Sequence, residues 1–363
     1  MSTLDRINQA LLSREAKALS AEDYLLDSDM DSFSYAMFWM ELDEAYGIFT
    51  LEYIQSIEYA TLTMADIINR IDAYEAGKIY LHEYFYKASD LKNDEHMIIS
   101  ETKHSREQGM ASVFDRLYAK ELERFKHEGR TALLYIGGAL EHHSMRKDYG
   151  VNERGKYPVM AQSGLLASRI AKKIEVDFLS INANACASGM YAIYEAKSLL
   201  ERGYDDVIIY GEEWVEPAEI LLFEQQNIPI TCSDGLVILR LSKRKSEHCI
   251  SEVNWAWHKD SSAFCFSVQG YKKAMKMQGG IDAVKMHGTG TENNTKAESG
   301  AIDEIYGKNK LRVEYKSLIG HSQGVSACVE LCMALEDEAL EGKEVLVSAA
   351  GLGNFYGACR VSC

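Results

Sequence analysis

One stretch constrains this chain more than any other. A β-rich run carrying Val176, Phe178, Leu179 and Ile181 leads into the small-residue turn Asn182-Ala-Asn-Ala-Cys186-Ala-Ser-Gly189. A helix follows, with Ala192, Ile193, Ala196, Leu199 and Leu200 on its apolar face, and Gly203 closes it. Val207-Ile-Ile-Tyr210 then reads as the next strand. The result is strand, turn, helix and strand, with a cysteine at the helix N-terminus. Unpaired N–H groups and the helix dipole favour negative charge there, which predicts a stabilised thiolate. Taken alone, a cysteine in this place also reads as a buried structural thiol. The rest of the chain decides between the two.

A chain of 363 residues has room for about two domains. No apolar run reaches the ~18 residues of a membrane span. The polar N-terminus does not read as a signal peptide, so a cytoplasmic location is expected. All eight cysteines lie from Cys186 onward with no C-x-x-C pair, which predicts reduced thiols and no metal centre. His142-His143 lacks further ligands and reads as surface. The net charge of −16 is uneven: residues 1–86 carry 16 acidic against 5 basic side chains, and the remainder 39 against 34. Such an acidic front disfavours nucleic acid as a partner and suits docking to basic patches on other proteins.

The front module has helical spacing at Leu4, Ile7, Leu11, Leu12 and Leu19, then a polar loop with Asp23, Asp27, Asp29 and Asp31. A second helix starts near Ser32, with Phe33, Met37 and Met40 lining one face and Gly47 suiting its end. Thr63-Met-Ala-Asp66 has the form of a capping box ahead of Ile67, Ile68, Ile71 and Tyr74, and Gly77 ends that helix. Three long helices and one short segment predict a small all-α four-helix bundle over residues 1–80. On residue type alone, Ser32 is a helix N-cap. The pair Met30-Asp31-Ser32-Phe33 and Leu42-Asp-Glu-Ala-Tyr-Gly-Ile-Phe49 resembles the acyl carrier proteins, with Phe33 in place of the usual Leu. That resemblance implies a covalent 4'-phosphopantetheine arm on Ser32, attached by a phosphopantetheinyl transferase. The arm's thiol would hold acyl groups as thioesters.

Lys78 to Tyr86 alternates enough to be a strand, residues 87–95 read as loop, and residues 108–128 are amphipathic with Val113, Phe114, Leu117, Tyr118, Leu122 and Phe125. The second domain is expected over residues 95–363. Thr131-Ala-Leu-Leu-Tyr-Ile-Gly-Gly138 reads as a strand with a glycine turn, and residues 164–173 as a helix. Ala283-Val-Lys-Met286 is a short strand running into His287-Gly-Thr-Gly-Thr-Glu-Asn-Asn294. A helix over 296–306, the segment Lys316-Ser-Leu-Ile-Gly-His321, a helix over 325–340 and strands at 345–350 and 358–362 complete an α/β pattern.

The Cys186 turn, His-Gly-Thr-Gly-Thr at His287 and Lys-Ser-x-x-Gly-His at His321 together resemble the β-ketoacyl synthases of the thiolase-like superfamily. The resemblance implies an αβαβα layered domain that forms homo- or heterodimers. It implies acyl and malonyl thioesters, on carrier proteins or CoA, as substrates. Cys186 matches the acyl-accepting nucleophile, His287 and His321 the paired histidines, and Lys316 and Glu298 their supporting residues. Gly351-Leu352-Gly353 matches the loop beside the active site, with Leu352 where an aromatic gate is common. The chemistry suits these residue types. A thioester carbonyl needs a soft nucleophile, and an enolate left by loss of CO₂ needs N–H donors aimed at its oxygen. The implied function is decarboxylative Claisen condensation in polyketide- or fatty-acid-like biosynthesis. Non-decarboxylative acyl transfer and a non-catalytic partner role are the alternatives. The sequence also departs from the family. The Cys186–His287 spacing is short, a usual acidic and glycine-rich stretch is reduced to Ile230-Thr-Cys-Ser-Asp-Gly-Leu-Val-Ile238, and no characteristic first strand is recognisable before residue 130. Gly320-His-Ser322-Gln-Gly324 matches the G-x-S-x-G elbow, but no histidine follows His321 to complete a hydrolase-type triad.

Overall fold

The computed structural model describes residues 2–46, 48–93, 119–137, 163–213, 223–225, 227–259 and 266–363. Gly47, Val113 to Tyr118, Gly138, His142, His143 and Cys265 lie outside the described residues. The chain divides into two compact units, Met1–Lys78 with Met277–Gly280, and Ile79–Lys276 with Ile281–Cys363.

In the first unit, helices α1 (Thr3–Leu12), α2 (Ser32–Tyr46), α3 (Leu51–Ser56) and α4 (Met64–Gly77) share one core. Reciprocal capping boxes, Ser2 with Asp5 and Thr63 with Asp66, fix the starts of α1 and α4. The core takes Phe38, Trp39 and Leu42 from α2, packed with Ile7, Leu11, Phe49, Ile67 and Ile71. Phe33, Met37 and Met40, which the spacing put on one face, stay exposed at 73%, 38% and 63%.

Among the described residues the second unit has ten strands: β1 (Ile79–Ala88), β2 (Thr131–Ile136), β3 (Phe178–Asn182), β4 (Asp206–Glu213), β5 (Gly235–Ser242), β6 (His248–Trp257), β7 (Ala283–Lys285), β8 (Leu311–Val313), β9 (Glu344–Gly351) and β10 (Phe355–Ser362). Their order is β3-β2-β4-β5-β1-β6-β10-β9-β7-β8. The order reads as one five-strand pattern and its reverse. In each half the second strand is parallel to the third and fourth, and the fifth is antiparallel to the fourth. The halves meet where Ile79, Tyr80 and Leu81 of β1 pair with Ile250, Cys249 and His248 of β6.

The strand read at residues 78–86 is therefore a sheet member, and this unit begins at Ile79. Local sequence did not mark β1 as the first strand because no glycine turn follows it.

Helices α5 (Ala119–Arg124) and α6 (Ser163–Ile174) pack Leu122, Phe125, Leu166 and Ile170 against Leu133, Tyr135, Ile208 and Tyr210 on one face. The opposite face, with Leu134, Ile136, Val207 and Ile209, covers α7 (Ser188–Glu201) and α11 (Ser326–Glu336). Both α7 and α11 pack on strands of both halves, so they form an inner helical layer. Helices α8 (Val268–Met275) and α9 (Glu292–Tyr306) cover the second half, and the single-turn α10 (Lys316–Ile319) follows β8.

Candidate active site

Cys186 sits in a one-turn 3-10 segment, Ala185–Ala187, between β3 and α7. Ala185 takes φ +50°, a left-handed conformation that is strained for a residue with a Cβ. Ser188 holds the turn: its Oγ donates to the Ala185 carbonyl at 2.6 Å and accepts the Asn184 N–H at 2.7 Å. The matching place in the second half is the turn Gln323–Val325 before α11, where Gln323 has φ +46°. The two turns pack together, and this brings segments 138 residues apart in sequence, Ala185 and Gln323, to one point.

His321 precedes the second turn. Its Nε2 lies 3.1 Å from Cys186 Sγ. Its backbone is pinned by the shortened stretch Ile230–Ile238, since the His321 N–H donates to the Thr231 carbonyl at 2.7 Å and the His321 carbonyl accepts the Ser233 N–H at 3.2 Å. His287, just past β7, stands edge-on to His321 with ring centroids 5.6 Å apart. Glu298 on α9 accepts the N–H groups of His287 and Gly288 at 2.6 and 3.1 Å and the Ser348 hydroxyl at 2.8 Å, which shapes the turn that carries His287.

The electrostatics differ from the sequence expectation. A stabilised Cys186 thiolate was expected from the helix N-terminus. Burial of the sulfur instead pushes the thiol up to about 12, with Lys316 only partly opposing it. Cys186 therefore rests as a thiol. Burial, followed by the Lys316 charge, lowers His321 to about 3 and His287 well below its ordinary value. Both imidazoles are uncharged at neutral pH. Burial also raises Glu298, against its three donors.

Lys316 does not face Cys186 alone. Its Nζ donates to the His287 carbonyl and to Glu330 Oε1, and Lys285 Nζ donates to Glu330 Oε2. Lys285 and Glu330 are fully buried. Burial raises the Glu330 carboxyl, but Lys285 and Lys316 together outweigh it and hold it at about 2. Lys285 and Glu330 were missed in the sequence reading. The available signal was a lone charge inside each of two apolar segments, Ala283-Val-Lys-Met286 and Ser326-Ala-Cys-Val-Glu-Leu-Cys-Met-Ala334.

Gly351 ends β9 against the cysteine turn, where a Cβ would lie 2.5 Å from the Asn184 carbonyl oxygen and 3.0 Å from the Ala187 nitrogen. Gly353 takes φ +94° in the β9–β10 hairpin, and Leu352 between them is 47% exposed. Ser322 of the elbow look-alike is fully buried, with its Cβ close against Gly235. Among the described residues no cluster could hold a metal ion, and no helix is long and apolar enough to cross a membrane.

Ser32 belongs to the first unit and is not the cap of α2. Asp31 fills that role, its Oδ1 accepting the Ser34 N–H at 2.7 Å. Ser32 is exposed and borders a cavity of about 620 Å³ lined by Tyr35, Trp39, Phe49, Ile54 and Tyr59. An accessible hydroxyl that the helix does not need, beside an apolar cavity, fits an attached acyl-bearing arm.

Residues 261–341 match the family described as β-ketoacyl synthase, C-terminal domain. A comparison with curated proteins found no match. Among solved structures, the ketosynthase from module 1 of the bacillaene synthase of Bacillus amyloliquefaciens FZB42 superposes with a TM-score of 0.62 at 13% identity, covering 78% of this chain and 75% of that one. The ketosynthase ApeO in complex with its chain length factor ApeC, from Xenorhabdus doucetiae, gives a TM-score of 0.53 at 18% identity, covering 69% and 78%. A type II polyketide synthase acyl-carrier protein in complex with its ketosynthase, bound to the hexaketide, gives 0.51 at 15%, covering 66% and 79%. At these identities the likeness is one of fold, and the chain has the mixed α/β, thiolase-like fold of the ketosynthases.

Proposed function

We propose that this chain is a carrier-protein/ketosynthase fusion that joins acyl thioesters by decarboxylative Claisen condensation. The observation that carries the reading is the meeting of Cys186 with two uncharged histidines, Nε2 of His321 at 3.1 Å from the sulfur and His287 beside it.

In the first step the Cys186 sulfur attacks the thioester carbonyl and a new C–S bond forms. The bond from the acyl carbon to the donor's sulfur breaks, and the Cys186 proton leaves with that departing thiol. One neutral imidazole can take that proton and pass it on, because a ring nitrogen of His321 lies within hydrogen-bond reach of the sulfur. In the second step a malonyl-type carboxylate leaves as CO₂. The remaining enolate carbon attacks the acyl-Cys186 carbonyl, and the released Cys186 thiolate takes a proton from solvent. An uncharged imidazole N–H donates to the enolate oxygen while it forms. The buried Lys285–Glu330–Lys316 cluster holds the His287 carbonyl and places a positive charge near the sulfur.

The phosphopantetheine arm, when attached to Ser32, supplies a flexible thiol that carries the acyl group. Ser32 offers the exposed hydroxyl for its attachment, and the neighbouring cavity offers the acyl chain an apolar wall. A dimer of this chain, or a heterodimer with a related subunit, completes the proposal. Its support is the fold shared with ketosynthases, including one solved with a chain length factor.

The test is intact mass spectrometry of the full chain after treatment with a phosphopantetheinyl transferase, an acyl donor and malonyl-CoA. The expected results are an arm on Ser32 that Ser32→Ala abolishes, an acyl group on Cys186 and a ketoacyl product. Product that persists in Cys186→Ala sinks the assignment. Acyl transfer without CO₂ release would instead favour the non-decarboxylative alternative.

A further inference from the structure

Two uncharged histidines beside one sulfur leave open which accepts a proton and which donates one. A third side chain on α11 decides it. Ser326 is fully buried at the start of α11, and its Oγ lies 2.6 Å from Glu330 Oε1 one turn further on. The same Oγ lies 3.3 Å from Nδ1 of His321. The donors can be assigned by counting hydrogens. Glu330 receives Lys285 on one oxygen and Lys316 on the other, so with two ammonium groups against it the side chain is a carboxylate. A carboxylate only accepts. The single hydroxyl hydrogen of Ser326 is therefore spent on Glu330, and its oxygen can only accept from His321. Nδ1 must then carry the ring hydrogen. A neutral imidazole has one such hydrogen, so Nε2 presents a bare lone pair to the Cys186 sulfur 3.1 Å away.

We propose that Ser326 is a positioning residue that locks His321 in its Nδ1–H tautomer, through a Glu330–Ser326–His321–Cys186 chain, and so makes His321 the base for the Cys186 thiol. The inference rests on the reading of Cys186 as the acyl-accepting nucleophile. In the step it governs, the Cys186 S–H proton moves to His321 Nε2 as the sulfur lone pair bonds to the thioester carbon. The C–S bond of the donor thioester breaks, and the departing thiolate takes the proton back from Nε2. Nothing is oxidised or reduced, and His321 returns to the tautomer in which it began. The enolate then falls to His287, whose ring is not held by this chain. The two histidines thus have unequal duties, fixed by one hydroxyl. The thiol that burial leaves protonated has a partner arranged to receive its proton, which a thiolate would not need.

Alkylation of Cys186 by iodoacetamide in the full chain, followed by peptide mass spectrometry from about pH 6 to about pH 9, reads this step because iodide leaves without a proton. In the wild type the rate is expected to be nearly flat, since a neutral His321 takes the proton throughout. In Ser326→Ala the rate is expected to fall about tenfold or more at pH 7 and to climb about tenfold per pH unit, as free thiolate becomes the only route. Ser326→Thr, which keeps the hydroxyl, is expected to restore the flat profile. A Ser326→Ala chain with the wild-type rate and profile overturns the proposal. If Ser326→Ala does not fold, a two-bond ¹⁵N–¹H correlation spectrum of histidine-labelled wild type decides, with His321 assigned through His321→Asn. An Nδ1–H pattern supports the relay, and an Nε2–H pattern overturns it. Ketoacyl product from Cys186→Ala would sink the underlying reading instead, and the tautomer spectrum would still judge the relay.

Discussion

The proton affinities at Cys186, His287 and His321 are set by burial first and by Lys316 second. His321 is depressed from 6.5 to about 3, and Glu330 from 4.5 to about 2. A group with a folded pKa below its unfolded value binds its proton more tightly when unfolded. Its contribution to stability is complete above the unfolded pKa and is lost as pH falls through the folded one. The second unit is therefore expected to lose stability from about pH 6.5 down to about pH 2, first through the histidines and then through Glu330. Thermal melts across that range check this, and His321→Asn should flatten the upper part of the slope. Glu330→Gln leaves two buried ammonium groups without their carboxylate, and a loss of about 3–5 kcal/mol is expected in urea denaturation. At this scale the residues of the three motifs could be named from sequence, because each motif is a short local pattern. Lys285, Ser326 and Glu330 could not, because their partners lie 14–45 residues away or sit unremarked on a helix.

The elements that hold the cysteine are two strained turns, two inner helices and one hairpin. Gly351 is where the hairpin touches the Cys186 turn, and the atoms that a Cβ would meet, two backbone atoms and the Cβ of Ala187, cannot rotate away. Gly351→Ala should cost about 1–3 kcal/mol and push the turn off its geometry. The expected readout is a lower melting temperature together with a drop of about tenfold or more in Cys186 alkylation, whereas overpacking remote from the turn would lower only the first. Strand–turn–helix–strand around Cys186 was legible from periodicity and small residues. Helix α2 shows the limit of periodicity. Two candidate apolar faces overlap on it, and the core takes Phe38, Trp39 and Leu42 while Phe33, Met37 and Met40 remain outside. Only the packing of the other three helices selects between them.

On the scale of the whole molecule, the second unit is a pattern of five strands used twice in opposite order. The end strand β3 pairs with β2 on one side and has no partner on the other among the described residues. Ile181 there is 41% exposed. An open edge of this kind is suited to pairing with a second copy. In the proposed dimer, Ile181→Lys should shift sedimentation toward monomer while leaving the melting of the first unit unchanged. The duplication itself was not legible. Its two turns, Asn182 to Ser188 and Gly320 to Ser326, share small residues but no motif, and strand order is a property of pairing between distant segments. Most of the elements, the capping box of α4 and the identity of the reactive side chains were legible in the sequence, since these depend on neighbours within a few residues. Only the tertiary structure decided that β1 belongs to the sheet, that Asp31 rather than Ser32 caps α2, and that Cys186 rests as a thiol beside a neutral histidine. Those outcomes depend on long-range strand pairing, on competition between adjacent side chains, and on burial beside charges brought from other parts of the chain.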